Sequence, residues 1–549
     1  MTVGLPDDIL HLVCDELSEQ RDFATLFECA SSSKRLAIPA LSALYRAQHA
    51  APVKGGSESS PTMAERLLVI QKWSILWRSI VLSSLSKTLF PYCKYIKVLD
   101  FRDLNYMFED DMFRGQVAQT FFGGDLSKYH KVQDTPSKAR LRGRAPLLDR
   151  TSIIDAIGED VTLQTHMAEQ ITGPILASAL VRWIPRLPRL RSLQLWDGAA
   201  LGDERVANLI TVHCPEFDDL SIYQWDGDDT DHKLSVFIAG LPSNHLHGFE
   251  TISKTGIAAE SFLSLNSHAD SLRDLKLAIG ADAVPHLGLL KGCTNLELLD
   301  IVDGSGTIDI EKTQNDVFLE MIVWLRDCHK LRELNFTKFL SAAALLAQVL
   351  GDQNIRLEHL KLDSYLVKDQ RDFHLALTHQ TNLISLNLEG NSDTITFDDR
   401  STFVDSLSHL KELRDLKLVF RSDEVDLLTD PEISTLVENL PNLQELYISG
   451  YGVTDAVLEK MSGLRSLRSV NFFAVTTFTI DGLLDFVDKL GPGNQGLSVV
   501  IDMADPESAL TEEEQNLVRE ALVAKVGGRL EYQLLRDYDA FYNSDEDSD

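Results

Sequence analysis

A short apolar motif that recurs through most of the chain constrains its fold more than any other feature. The motif is apolar-x-x-apolar-x-apolar, and its clearest copies are TNLELLDIVDG (294–304), TNLISLNLEG (381–390) and PNLQELYISG (441–450). The frame begins at positions 190, 217, 246, 272, 296, 331, 357, 383, 413, 443 and 467, the copy at 246 being the poorest. Ten steps span 277 residues, an average of 27.7. One such hexamer could come from any buried strand, but eleven in register predict a repeat array.

The segments between the motif copies supply the second half of each repeat. Residues 315–328, 342–350, 431–440 and 480–490 carry apolar side chains at helical spacing. Short strands alternating with helices predict an α/β fold, a curved solenoid with a parallel sheet on its concave side and helices on its convex side. We place the repeats at 91–505, with an early copy at 96. An irregular insertion at about 105–150 and one or two degenerate repeats fill the stretch before 190.

The period and the strand motif resemble those of leucine-rich repeats of the ribonuclease-inhibitor-like and cysteine-containing types. The flanks are assigned from local pattern. The strongly apolar MAERLLVIQKWSILWRSIVL (63–82) predicts a helical cap at 63–90. Thr511 to Glu514 form a capping-box pattern, which predicts a C-terminal capping helix at 506–536, followed by an acidic tail at 537–549.

The chain opens on a compact amphipathic segment, LPDDILHLVCDEL (5–17). Pro6 suits the first turn of a helix, and Ile9, Val13 and Leu17 recur every four residues with Leu10 beside them. The segment has no basic start, so it is not a signal peptide. About 50 residues form this part (1–50), too few to be stable without help, and a Gly/Ser-rich linker follows at 51–62. These helices therefore either dock on a partner or cap the open end of the solenoid.

The stretch from Leu5 to Arg46 resembles an F-box. The marks are LPDDIL (5–10), Leu17, DFATL (22–26), SKRL (33–36) and an ending, PALSALYR (39–46), common in fungal members, while KTLFPYCKYIKVLDFRDL (87–104) is similar to their joining segment. The resemblance implies a substrate receptor of an SCF-type cullin–RING ubiquitin ligase, bound through a Skp-family adaptor to cullin. It implies adaptor contacts by Leu5, Pro6, Ile9, Leu10, Val13, Leu17, Leu26 and Leu36, the last standing where many members have an aromatic residue.

The amino-acid composition disfavours several classes of function. The formal net charge of −31 disfavours nucleic acid as the main ligand, and no apolar run is long enough to span a membrane. Six scattered cysteines fit neither a zinc site nor a disulfide framework, which favours the cytoplasm or nucleus. We found no catalytic, cofactor or metal motif, so we expect a non-catalytic receptor that needs no cofactor. The alternative is a repeat scaffold that binds proteins without any ligase role.

The repeat frame also predicts where a target protein binds. The apolar positions point into the core, so the third, fifth and seventh positions face outward from the sheet. Most outward residues are small or polar, but four are large aromatics, which are typical of binding hot spots. We therefore expect target binding at Trp196, Tyr223, Tyr447 and Phe473. The alternative is that neighbouring loops bury these rings.

Overall fold

The computed structural model describes residues 5–50, 62–133, 147–253, 255–392, 395–421 and 428–535. Residues 51–61 of the predicted linker at 51–62, residues 134–146 of the predicted insertion and the acidic tail at 537–549 lie outside them. The chain forms two compact units, Met1–Ser271 and Leu272–Asp549.

Three helices open the first unit: α1 (Asp7–Glu19), α2 (Phe23–Ser32) and α3 (Lys34–Arg46). Side-chain caps set the helix starts, because Asp22 accepts a hydrogen bond from the Thr25 N–H and Ser33 accepts one from Leu36. Their shared core is small and consists of Cys14, Leu26, Ala40 and Ala43. Two alanines in this core let the helices approach closely, and little apolar surface is buried.

The rest of the first unit alternates strands with helices. The strands are β1 (Val98–Asp100), β2 (Gln170–Gly173), β3 (Ser192–Asp197), β4 (Asp219–Gln224) and β5 (Gly248–Thr251). The helices are α4 (Met63–Ser84), α5 (Phe101–Glu109), α6 (Gln116–Phe121), α7 (Arg150–Thr162), α8 (Ala177–Trp183), α9 (Arg205–His213), α10 (Thr230–Ala239) and α11 (Ala259–Leu265). All strand pairs in this unit are parallel and follow chain order.

The second unit repeats the same pattern. Its strands are β6 (Asp274–Ile279), β7 (Leu298–Asp303), β8 (Glu333–Thr337), β9 (His359–Leu366), β10 (Ser385–Asn391), β11 (Asp415–Arg421), β12 (Glu445–Val453), β13 (Ser469–Thr476), β14 (Ser498–Ala504) and β15 (Arg529–Leu534). Its helices are α12 (Ile310–Thr313), α13 (Asn315–Asp327), α14 (Ala342–Val349), α15 (Arg371–Leu377), α16 (Phe397–Leu407), α17 (Asp430–Asn439), α18 (Asp455–Met461), α19 (Ile480–Lys489) and α20 (Glu512–Val526). These strands also pair in parallel and in chain order.

The strand register stacks equivalent apolar side chains into ladders. The fourth motif position forms one such ladder in the second unit, made of Leu275, Leu299, Leu334, Leu360, Leu386, Leu416, Leu446, Val470, Val499 and Leu530. Every member is buried, with at most 5% of its surface exposed. Burying each contributes on the order of 1.5–3 kcal/mol, so the ladder is a main source of stability.

The predicted repeat fold is confirmed. Each of the twelve predicted strands begins two residues after the first position of its motif copy, as β3 does after position 190. The structure adds β2 in the stretch before 190, together with β14. It also adds β15, which follows the predicted C-terminal helix α20 within the segment that we assigned to a helix alone. The capping box of α20 is present, with Thr511 and Glu514 exchanging hydrogen bonds.

Candidate functional site: an apolar N-terminal face and an aromatic pocket on the sheet

The N-terminal helices leave an apolar face uncovered. The exposed apolar side chains at this end of the chain are Leu5, just before α1, and Ile9, Leu12 and Val13 at helical spacing within it. Arg35 ties this end of α1 to α3, because its Nε donates to Asp7 Oδ1 at 2.7 Å and its Nη2 donates to the Leu5 carbonyl. Ile38 lies one turn beyond Arg35 and is 50% exposed. We call Leu5, Ile9, Leu12, Val13 and Ile38 the N-terminal apolar face.

The predicted adaptor-binding residues fall into two groups. Leu5, Pro6, Ile9 and Val13 are exposed, and Leu17 and Leu36 are half-buried. Leu10 and Leu26 are buried, so these two side chains hold the helices together from within. The sequence interpretation missed Leu12, Ile38 and the exposed Phe27 on α2. The spacing of Leu12, three residues after Ile9, was the available signal for an outward face distinct from the Leu10–Cys14 face.

The end of α3 is joined to the first repeat. The Tyr45 hydroxyl lies 2.7 Å from Ser79 Oγ on α4, and the Tyr45 ring stacks on Tyr92 with centroids 4.5 Å apart. Burial raises the pKa of Tyr45 to about 12. Just beyond α3, buried Gln48 donates from Nε2 to the Val98 carbonyl of β1 at 3.0 Å. The two sequence interpretations are therefore compatible, since α3 packs on the first repeat while the N-terminal apolar face stays uncovered.

Two of the four predicted target-binding aromatics form a cluster in the first unit. Trp196 and Tyr223 lie at outward positions of β3 and β4 with ring centroids 5.7 Å apart. A third ring, Tyr106 of α5, lies 5.7 Å from Trp196 on its other side. Tyr106 is 46% exposed and Tyr223 44%, whereas Trp196 is half-buried. Neighbouring loops therefore do not bury these rings.

The three rings line a pocket of about 110 Å³ on the sheet face, which we call the aromatic pocket. Its other lining side chains include Arg102, Thr172, Gln194, Ser221 and Ile252. The Arg102 guanidinium is held by Asp100 through two contacts, Nε to Oδ1 at 3.0 Å and Nη2 to Oδ2 at 2.8 Å. This pairing with Asp100 raises the pKa of Arg102 and neutralises its charge at the pocket wall. Tyr106 was missed from the sequence because it lies in α5, outside the strand frame.

The other two predicted aromatics pair in the second unit. Tyr447 of β12 stacks on Phe473 of β13 with centroids 6.3 Å apart, and both are half-buried. Lys417 Nζ sits 5.2 Å from the Tyr447 ring centroid and bonds to Glu389 at 2.7 Å. Burial raises the pKa of Tyr447, and nearby Asp502 and Glu389 add to the rise. A lysine of the chain itself thus already occupies this ring face.

Burial suppresses the reactivity of three of the cysteines. All six cysteines are free thiols, and burial raises the pKa of Cys214, Cys293 and Cys328 to about 12, which makes them poor nucleophiles. Among the described residues, no group of three or more His, Cys, Asp or Glu side chains is arranged to hold a metal ion. No helix in the described part of the chain is both long and apolar enough to cross a membrane.

No family model matches the chain, and no curated protein matches its sequence. Several solved structures are similar in fold. Rad7 in the yeast complex with Elc1 is 12% identical over 83% of this chain and 97% of its own, with a TM-score of 0.38. TLR13 bound to ssRNA13 is 16% identical over 62% of this chain, with a TM-score of 0.35, and this chain spans only 42% of its length. LegL7 of Legionella pneumophila is 14% identical over 52% of this chain and 84% of its own, with a TM-score of 0.30.

These scores are low, so the fold assignment rests on the strand order and register described above. By those features the chain is an α/β repeat solenoid with one parallel strand per repeat.

Proposed function

We propose that the chain is the substrate-recognition subunit of an SCF-type cullin–RING ubiquitin ligase. Its N-terminal helices dock on a Skp-family adaptor, which connects it to cullin, and its repeats hold a target protein. The chain performs no bond chemistry itself. It raises the effective concentration of target lysines near the ubiquitin-carrying enzyme.

The observation that carries the proposal is the N-terminal apolar face. Its five side chains are between 37% and 63% exposed, and they lie on helices whose own core is made of four small or medium-sized residues. Several exposed apolar side chains on helices with so small a core are typical of a protein interface. The F-box resemblance of residues 5–46 supplies the identity of the partner.

The outward rings of the repeats support the second half of the proposal. Tyr106, Trp196 and Tyr223 are aromatic side chains held on a rigid sheet, the residue types in which binding energy concentrates. They lie in the same compact unit as the N-terminal apolar face.

The test replaces Ile9 and Val13 by Ser together in the full chain and measures co-purification of the adaptor and cullin. These side chains are exposed, so the helices keep their core, and we expect both partners to be lost. The control places Ser at Leu68 and Ile75, which are 50% and 66% exposed on α4. The control variant should retain both partners.

Undiminished adaptor binding by the Ile9/Val13 variant would contradict the proposed interface. Co-purification of the adaptor without cullin from the unaltered chain would favour the non-degradative scaffold instead.

A further inference from the structure

We propose that the aromatic pocket binds the cationic side chain of a lysine or arginine in the target protein. This inference rests on the proposed function, because it specifies what the repeats recognise. Its three parts are the arrangement of the rings, the charge around them and the contrast with the second aromatic pair.

The rings form a wall that an aliphatic chain ending in a cation can enter. Trp196 lies between Tyr106 and Tyr223, and its ring plane is inclined by 56° to the first and 52° to the second. Successive rings therefore present their faces at an angle to one another, unlike a flat stack. A cation within about 6 Å of such faces is attracted by the ring quadrupoles, and Trp is the strongest of the three ring types.

Polar side chains line the sheet beneath the rings. One outward row runs across β1 to β5 through Asp100, Thr172, Gln194, Ser221 and Glu250. Asp100 neutralises Arg102, and the Glu250 carboxylate accepts a hydrogen bond from Ser221 at 2.8 Å beside the pocket. Asp100 thus balances the one guanidinium at the pocket, in a chain whose formal net charge is −31. This field attracts a cation and repels a carboxylate or phosphate.

In the second aromatic pair, Tyr447 and Phe473, a lysine of the chain itself covers one outward ring. Tyr447 is covered by Lys417, which Glu389 holds in place from the neighbouring strand β10. Trp196 and Tyr223 stand two residues beyond the strand position that Lys417 and Tyr447 share, and the described residues place no lysine or arginine over either ring. A partner's side chain would complete in the first unit the contact that Lys417 makes in the second.

The experiment titrates the purified full-length chain, labelled with ¹⁵N at tryptophan, with three capped pentapeptides. They have the sequence Gly-Ser-X-Ser-Gly, where X is lysine, arginine or norleucine, the last keeping an aliphatic chain without charge. The readout is the indole N–H resonance of Trp196, assigned by its loss in Trp196→Phe. We expect the lysine and arginine peptides to shift this resonance and the norleucine peptide to leave it unchanged.

Ring variants test the contacts. Tyr106→Leu and Tyr223→Leu should each weaken binding of the lysine peptide by about two- to fivefold, the effect of one partly exposed cation–π contact. Tyr223→Phe, which keeps the ring, should bind as the unaltered chain does. The matched control is Tyr447→Leu, which removes an outward ring that already has its cation, and it should also bind normally.

Three results would overturn the proposal: no shift with either charged peptide, an equal shift with norleucine, or displacement of the lysine peptide by a single-stranded oligouridylate. The titration contains no adaptor or cullin. Its failure would therefore remove this pocket while leaving adaptor docking intact, and failure of docking would not affect the titration.

Discussion

His374 shows how one buried side chain can set the response of the second unit to pH. It is fully buried on α15 beside Phe373 and Phe403, and the Tyr365 hydroxyl lies 3.5 Å from its Nε2. Burial lowers the pKa of His374 to about 4, although the nearby Asp399 carboxylate opposes the change. The imidazole is therefore neutral in the folded chain at neutral pH, and it binds a proton more weakly there than in the unfolded chain.

From this we predict a loss of stability on mild acidification. The unfolded chain binds the proton with a pKa of about 6.5. Stability from neutral His374 is thus fully present above about pH 6.5 and is lost as pH falls toward 4, by up to about 3 kcal/mol. The urea midpoint of His374→Phe should change less between pH 7 and pH 5 than that of the unaltered chain. The exposed His379→Phe should leave the pH dependence unchanged, and equal slopes in all three proteins would refute the assignment.

The side chain of Gln380 forms hydrogen bonds with backbone groups of the turn between α14 and β9. Its buried amide Nε2 donates to the carbonyls of Leu350 at 2.8 Å and Ile355 at 3.1 Å, and its Oε1 accepts from the Leu357 N–H at 3.0 Å. Asn494 bridges two carbonyls in the same way. One amide thus pairs three backbone groups that lie out of reach of water.

We predict that Gln380→Leu lowers the free energy of unfolding by about 3 kcal/mol, because buried backbone groups lose their partners at about 1–3 kcal/mol each. Denaturant unfolding followed by circular dichroism measures the change. Gln353→Leu, on the exposed side of the same turn, is the matched control and should change stability by less than about 0.5 kcal/mol.

At the scale of helices and strands, the first residue of one repeat helix caps the next. Asp430 accepts a hydrogen bond from the Thr454 N–H at 2.9 Å, and Asp455 accepts from the Thr479 N–H at 3.0 Å and from its hydroxyl at 2.6 Å. Asp231, the second residue of α10, does the same for α11, accepting from the Ala258 N–H at 2.8 Å. These carboxylates fix each helix to its neighbour in the array.

Removing one such carboxylate should weaken the junction that it spans. Asp455→Ala is expected to cost about 1–2 kcal/mol, the usual range for a lost helix cap. Asp481, an exposed acid in the first turn of α19, gives the matched control Asp481→Ala. Thermal unfolding compares the two. A shift as large in the control would show that first-turn charge matters and that the bridge to Thr479 does not.

The strands that the sequence analysis missed share one physical property. The first motif position is Ala168 before β2, Gly496 before β14 and Gly527 before β15, each two residues ahead of its strand. With a small residue in place of Leu, the hexamer loses its signal, although the fourth position stays apolar as Ile171, Val499 and Leu530. Gly496 and Gly527 have φ values of 77° and 64°, so the turn, and not the core, determines the residue there.

The candidate sites were only partly predictable for a similar reason. Strand alternation placed Trp196 and Tyr223 outward, and the structure agrees. Tyr106 joins them through α5, whose position depends on packing in an irregular stretch that has no repeat frame. On the N-terminal helices, apolar spacing alone could not separate inward Leu26 from outward Ile38, because three helices must be assembled before the inner side is defined.

At the scale of the whole molecule, the net charge should make the two proposed interactions respond differently to added salt. Adaptor docking is assigned to an apolar face, while target capture is assigned to a pocket in a chain of formal net charge −31. Added salt screens long-range attraction and leaves apolar burial largely intact. We therefore predict that raising NaCl from about 0.05 M to 0.5 M slows target association at least about tenfold but changes adaptor association less than about twofold. The association rate of each partner can be measured with the chain immobilised on a sensor surface. An equal fall in both rates would contradict the prediction.

The hydrogen bond from Gln48 to β1 helps to fix the distance between the N-terminal helices and the sheet of the first unit. The N-terminal helices and the strands that carry the aromatic pocket belong to one compact unit, and α3 is held to that unit by Tyr45 as well. Under the proposed function, a target seated on the sheet would be presented at a set distance and angle from the adaptor. Only those target lysines that lie within reach of the ubiquitin-carrying enzyme would then receive ubiquitin.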